Sequence, residues 1–211
     1  MTAPLSPQQV ASLIVRRDRA FKPVVEAIGP PTLRRRPAPV DQRFSALVSS
    51  ITSQLLATSA AATIHSRVVE ACGGQVSVAS ILSAGPDALR AAGLNRTKAE
   101  AMVQLARDVK EQRVDLSRHG RMSDHQVLLD VSAVRGIGPW TAHMYLIFTL
   151  ARPDVWPVGD YGVRAGWTAL HGLDEIVTEK QLRELGDPFN GVRTTAAWYC
   201  WQALHLARAS K

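Results

Sequence analysis

The sequence predicts an all-α protein, and three observations carry the prediction. Apolar residues recur at helical spacing in one segment after another. These segments open on capping residues and close on glycine. Runs that alternate apolar and polar residues, as a half-buried strand would, are scarce.

In chain order, Ser6-Pro7 with Gln9 combines an N-cap, a first-turn proline and a capping-box partner. They open a helix through Ile14 that carries Arg16, Arg17 and Arg19 near its end. Pro30, Pro31, the Arg34–Arg36 run, Pro37 and Pro39 then break the pattern and read as a linker. Helical spacing resumes at Phe44, Leu47, Val48 and Ile51, and again from Ala60 through Val69, where Gly73-Gly74 closes the second helix. Ser53-Gln54-Leu55-Leu56 reads as the loop between them. Pro86 to Ala92 makes a short helix ended by Gly93, and Thr97 with Glu100 forms a capping box for a helix to about Arg113. Ser123 with Gln126 repeats the device, as does Thr178 with Gln181 before the last helices, which contain Trp198, Tyr199 and Trp201.

At 211 residues the chain is long enough to bury roughly 70% of its unfolded surface without covalent staples. Its two cysteines, Cys72 and Cys200, lie far apart and exclude a disulfide framework and any four-cysteine zinc or iron–sulfur site. The first ten residues lack a basic stretch followed by an apolar core, and no run of about 18 apolar residues occurs, so the expectation is a cytoplasmic protein with no membrane contact. The net charge is +7, Arg greatly outnumbers Lys, and the pI is near 10.0. That balance fits a polyanionic partner, and equally a basic protein from an Arg-rich proteome. The six histidines have no spacing that suggests a site.

The most informative stretch is Leu128-Leu129-Asp130-Val131-Ser132-Ala133-Val134-Arg135-Gly136-Ile137-Gly138-Pro139-Trp140-Thr141-Ala142. A capped helix runs into Gly-Ile-Gly, and Pro139 sits where a first helical turn tolerates it. The two glycines are expected to allow positive φ and to leave their N–H groups uncovered, so that the next helix start offers an anion site. An ordinary αα-hairpin with a glycine turn fits the same residues. Downstream, Val155-Trp156-Pro157-Val158-Gly159-Asp160-Tyr161-Gly162-Val163-Arg164 puts Asp160 after a Pro/Gly turn at a helix start, where taken alone it reads as an N-cap.

These two passages resemble the helix-hairpin-helix DNA glycosylase superfamily, over roughly residues 40 to 205. The likeness is carried by the apolar helix, Gly-apolar-Gly, two residues and Thr-Ala of the hairpin. The Pro-x-x-Asp-x-Gly-Val-Arg setting of Asp160 and the run Arg193-Thr194-Thr195-Ala196-Ala197-Trp198-Tyr199 add to it. The resemblance implies two helical subdomains, one of residues 1–40 and 153–211 and one of residues 41–152 with the hairpin at about 123–150. A cleft between them would hold Asp160 against the hairpin. It implies double-stranded DNA with damaged bases as partner and a monomeric enzyme. Phosphate would be held near Gly136, Gly138 and Thr141 and by Arg193, with a structural cation on the carbonyls of Ser132, Val134 and Ile137. No cofactor is implied for catalysis.

Members that also cut the DNA backbone carry a lysine two residues after the second hairpin glycine, where this chain has Trp140; together with the missing four-cysteine cluster this argues against the endonuclease III branch. What remains resembles the bacterial 3-methyladenine DNA glycosylase II group, in a compact form without an N-terminal β-rich domain. By that likeness Asp160 is the catalytic carboxylate. Ser50-Ile51-Thr52-Ser53-Gln54-Leu55-Leu56-Ala57-Thr58 resembles a loop that plugs the duplex where a base has left, with Leu55 as wedge, Leu56 as the alternative and Gln54 lining the site. Leu55 also reads as a core leucine at a helix end. Trp140, with Met144 one turn on, could stack on an electron-poor base or sit in the core. Gly191-Val192 stand where relatives carry a Pro-aromatic pair, which suggests a different lesion set. The expected reaction is hydrolytic release of an alkylated purine without lyase activity; the alternatives are a glycosylase for deaminated or oxidised bases, or a non-catalytic DNA-binding module.

Overall fold

The computed structural model describes residues 5–56 and 58–209. Its helices are α1 (Pro7–Arg17), α2 (Lys22–Ile28), α3 (Val40–Ser53), α4 (Thr58–Ala71), α5 (Val78–Ala91), α6 (Arg96–Lys110), α7 (Asp124–Ser132), α8 (Pro139–Met144), α9 (Tyr161–Leu170), α10 (Glu179–Leu185) and α11 (Arg193–Ala209). A π-helical turn, Tyr145–Thr149, continues α8. No strand occurs among the described residues, so the fold is all-α.

The capping boxes at Ser6, Ser123 and Thr178 form as the sequence predicts, each hydroxyl accepting the N3 amide and each Gln reaching back to the cap. Two boundaries differ. The N-cap of α6 is Asn95, whose Oδ1 accepts Lys98 N–H at 2.9 Å; Thr97 lies inside the helix and Glu100 pairs with Arg96 at 2.7 Å. Asparagine competes well for this position, and its offset by two residues moved the start. The short helix at Pro86 is the second half of α5, which begins after its own cap, Ser77 with Ser80, and breaks at Gly85 (φ 67°, ψ 175°). Helix α2 had no strong local signal; at seven residues it depends on burying Val24.

Tertiary contacts divide the chain into two units, Met1–Arg35 with Arg152–Lys211, and Arg36–Ala151. The first, which joins both chain ends, has an aromatic core in which Phe21, Trp156, Trp167 and Phe189 meet edge-on, tilted or stacked with centroids 5.3–6.5 Å apart. There α9 and α11 approach so closely that a Cβ on Gly166 would lie 1.9 Å from the Cys200 carbonyl oxygen. Only glycine permits that crossing.

The second unit buries Phe44, Leu47, Val48 and Ile51 of α3 with Met102, Leu105 and Ala106 of α6 and Val127 and Val131 of α7. Polar clips fix its loops. The buried Arg43 guanidinium donates to the carbonyls of Ala38, Leu116 and Ser117, at 2.6 Å for Leu116. The buried His119 ring bridges Asp130 of α7 (2.7 Å) and the Tyr145 hydroxyl beyond α8 (3.1 Å), bracing the two arms of the hairpin. Burial holds this imidazole below its ordinary value despite the opposing pull of Asp130.

Candidate active site and nucleic-acid interface

In the first unit, Pro157 and Gly159 turn the chain so that Asp160 N–H donates to the Pro157 carbonyl at 2.9 Å and Asp160 becomes the N-cap of α9. Its Oδ1 accepts the Val163 amide at 2.8 Å. The same oxygen accepts the indole N–H of Trp201, on α11, also at 2.8 Å. Asp160 is thereby 8% exposed, a carboxylate removed from bulk water yet met by two N–H donors. Trp201 lies over Gly162, where a Cβ would come within 2.8 Å of its ring and 3.0 Å of Asp160 Oδ1. Gly162 and Gly166, one turn apart on α9, therefore admit α11 and bring Trp201 to the carboxylate.

Reading along the chain missed Trp201. A signal was present: two glycines at i and i+4 on one helix imply a close partner on that face. Arg193, expected to meet phosphate, pairs with Asp154, with Nε–Oδ1 at 2.8 Å and Nη2–Oδ2 at 2.6 Å, while its side chain stays 30% exposed. Burial opposes the charge on Asp154, but the Arg193 guanidinium and the amides of Arg193 and Gly191 outweigh it and hold the carboxyl below its usual range. The pair fastens the start of α11 to the Arg152–Val155 segment.

In the second unit, the end of α3 leads into a tight turn, Ser53-Gln54-Leu55-Leu56, closed by Leu56 N–H donating to the Ser53 carbonyl at 3.2 Å. Gln54 has φ −51° and ψ 125°, and Leu55 has φ 55°. This resembles a type II turn, whose third position ordinarily takes glycine. A leucine there carries strain of about 1–3 kcal/mol. Leu55 is also fully exposed, and Leu56 is more than one-third exposed. The core reading of Leu55 is thus overturned: the side chain neither packs nor relaxes. Ala57, in the same stretch, lies outside the described residues.

Two groups hold this turn. The buried Lys98 ammonium, from the first turn of α6, donates to the carbonyls of Thr52 (2.8 Å) and Gln54 (2.6 Å). Gln54 in turn donates through Nε2 to the Thr141 hydroxyl (2.8 Å) and toward the Gly136 carbonyl (3.5 Å). The loop and the hairpin, far apart in sequence, are in contact, and the buried Thr141 side chain is the joint. Lys98 was not singled out from the sequence, because nothing local distinguishes it from any helix lysine.

The hairpin runs from α7 to α8 through Ala133–Gly138. Gly136 has φ 89°, and a Cβ there would meet Ala101 of α6 at 2.7 Å. Gly138 departs from expectation: with φ −99° and ψ 176° it is extended, needs no positive φ, and leaves open space where a Cβ would stand. It is the N-cap of α8 without a side-chain cap, ahead of Pro139, so the first-turn amides of α8 lack intrahelical acceptors. Trp140 is half-buried and Met144 buried. Among the carbonyls expected to hold a cation, that of Val134 already accepts Ile137 N–H at 3.0 Å. Ser132 Oγ is buried with no hydrogen-bond partner. No group of three or more His, Cys, Asp or Glu suited to a metal occurs among the described residues.

The model of the HhH-GPD superfamily of base excision DNA repair proteins matches residues 48–190. The chain belongs to this superfamily. Among its relatives in the family, an alkylbase DNA glycosidase-like protein, mag2, of Schizosaccharomyces pombe is 27% identical over 195 residues, spanning 90% of this chain and 91% of the relative. DNA-3-methyladenine glycosylase 1 of the same organism is 29% identical over 171 residues, 80% of this chain and 75% of that one. Of solved structures, the S. pombe 3-methyladenine DNA glycosylase Mag1 in complex with abasic DNA superposes with a TM-score of 0.85 at 26% identity, covering 92% of this chain and 95% of that one. A DNA-3-methyladenine glycosidase from Bacillus halodurans gives 0.77 at 31% identity, with 97% and 92% covered. The HhH-GPD match includes the loop at Leu55, the hairpin and Asp160.

Proposed function

We propose that this HhH-GPD protein is a monofunctional DNA glycosylase that extrudes an alkylated purine from duplex DNA and hydrolyses its N-glycosidic bond. The observation that carries the reading is Asp160: a buried carboxylate at the mouth of α9, oriented by the Val163 amide and the Trp201 indole. An alkylated purine already bears positive charge and departs as a neutral base, so the unmet need is charge developing on the sugar. A preorganised carboxylate stabilises that oxocarbenium-like state and orients or deprotonates the attacking water. Glycoside hydrolases usually require a second, acidic carboxyl to protonate the leaving group. A cationic leaving group removes that requirement.

The other expected parts follow from the second unit. Leu55 supplies the apolar plug that offsets unstacking. The amides near Gly138 and Thr141 receive a DNA phosphate. The backbone carbonyls of Ser132, Val134 and Ile137 would hold a structural cation there, which would supply positive charge beside that phosphate. Trp140 stands where a lyase lysine would, and no Schiff base forms with the sugar.

The test is single-turnover excision from duplexes carrying 3-methyladenine, 7-methylguanine, hypoxanthine, ethenoadenine or uracil, with Asp160→Asn beside the native protein. Asn still caps a helix. The expected outcome is excision of the methylated purines and a loss in the variant of at least about 100-fold with DNA affinity retained. Preferred release of hypoxanthine or uracil would redirect the substrate class. Absence of excision on every lesion, with salt-sensitive duplex binding retained, would establish a non-catalytic binding module instead.

A further inference from the structure

Lys98 is in an unfavourable position by every local criterion. It lies in the first turn of α6, where the helix dipole opposes a cation, and it is buried to 7% exposure, which penalises its charge. The compensation is at the end of a different helix. Its ammonium reaches the last carbonyls of α3 and the first of the following turn, Thr52 and Gln54, where the dipole of α3 presents negative charge. Those two carbonyls flank Ser53, and the residue directly after them is Leu55, in the left-handed region and fully exposed. One turn along the same face of α6, Ala101 lies against Gly136 of the hairpin.

We infer that Lys98 is the positioning residue of the intercalating loop: its ammonium clamps the Thr52 and Gln54 carbonyls and thereby holds the strained turn that projects Leu55. A strained φ persists only where its surroundings over-determine it. Here the peptide before Leu55 is gripped at its carbonyl by Lys98, while the Gln54 side chain is gripped by Thr141. Without the ammonium, α3 frays through Gln54, Leu55 relaxes to an ordinary φ, and the plug no longer stands preformed. Extrusion of a paired base then carries the added cost of ordering the loop. A base that is already unpaired depends far less on the plug. Helix α6 is accordingly the common platform for the loop and the hairpin. The inference rests on the reading of Leu55 as the wedge.

The experiment is a double-mutant cycle on excision of a methylated purine. Lys98→Met, Leu55→Ala and the double variant are compared on a fully paired duplex and on one with the lesion in a mismatched bubble. Lys98→Met is expected to lose about tenfold on the paired duplex and little on the bubble, and to add no loss in the Leu55→Ala background, because both act through one plug. A residue that merely supported the fold would lower both substrates alike and add its full loss to Leu55→Ala. If Leu55→Ala itself excises like the native protein, the wedge reading fails and Lys98 with it. If Leu55→Ala is defective while Lys98→Met is unaffected or fully additive, only the Lys98 inference fails. Lys98→Gln, which keeps an NH2 donor on a shorter side chain, is expected to recover part of the loss. Failure of both Lys98 variants to fold would assign the residue to the core and overturn the inference.

Discussion

The carboxylate in the first unit and the leucine turn in the second are built on opposite principles. Asp160 is buried, lies in ordinary backbone conformation, and is fixed by packing: glycines at 162 and 166 let α11 approach until Trp201 bonds its carboxylate. Leu55 is exposed, sits in a conformation leucine avoids, and is held through polar contacts of the backbone beneath it, from Lys98 to two carbonyls and from Gln54 to Thr141. The contrast teaches how each part meets its task. A group that stabilises charge works best held still in a dry setting. A group that must enter a partner has to stand unpacked beforehand, so its order comes from the backbone beneath it.

Removing the indole N–H from the first site has the largest expected effect among these perturbations. Trp201→Phe keeps an aromatic ring but takes away a hydrogen bond to a charged acceptor, worth about 1.5–3 kcal/mol. Single-turnover excision is expected to fall at least about tenfold, alongside a fall of several degrees in melting temperature. An unaltered rate would mean that Val163 N–H alone orients Asp160.

At the second site the glycines part company. Gly136→Ala must force both a positive φ and a contact with Ala101, so it is expected to destabilise by about 1–3 kcal/mol in a denaturant titration. Gly138→Ala meets neither obstacle, and its expected effect is confined to weaker duplex binding, measured by titration at fixed salt. Equal unfolding midpoints for the two variants would contradict the geometry.

The strain itself is measurable. Leu55→Gly suits a left-handed turn position and is expected to raise stability by about 1 kcal/mol while reducing excision from paired DNA. A variant that is both less stable and fully active would show that Leu55 is neither strained nor inserted.

The two units also differ in response to acid. Burial holds His65, His119 and His143, all in the second unit, below their ordinary value of 6.5. Below that pH the unfolded chain takes up protons that the folded unit refuses, so stability falls as pH drops from about 6.5. In the first unit the depressed carboxyl is Asp154, whose contribution is lost only below its ordinary value of 3.8. Amide protection factors, taken relative to the intrinsic exchange rate at each pH, are therefore expected to fall more within residues 36–151 than within 152–209 between pH 6.5 and 5. A uniform response would remove the contrast.

Much of the architecture is legible along the chain because its causes are local. Capping at Ser6, Ser123 and Thr178, the apolar face of α3, the glycine turn of the hairpin and the N-cap position of Asp160 each depend on residues within a turn or two. The membership of both ends in one unit, by contrast, is a matter of which distant faces pack.

Local patterns along the chain set the all-α class, most helix starts, and which segments carry the hairpin, the turn and the carboxylate. Tertiary structure alone decided what those segments touch. Trp201 reaches Asp160 across 41 positions, Lys98 reaches Gln54 across 44, and Gln54 reaches Thr141 across 87. It also decided that Leu55 would be exposed and left-handed rather than packed. The physical reason is range: a cap or a turn is settled by backbone groups a few residues away. The partner of a buried charge is whichever donor or acceptor the packed helices deliver, and no local pattern records it.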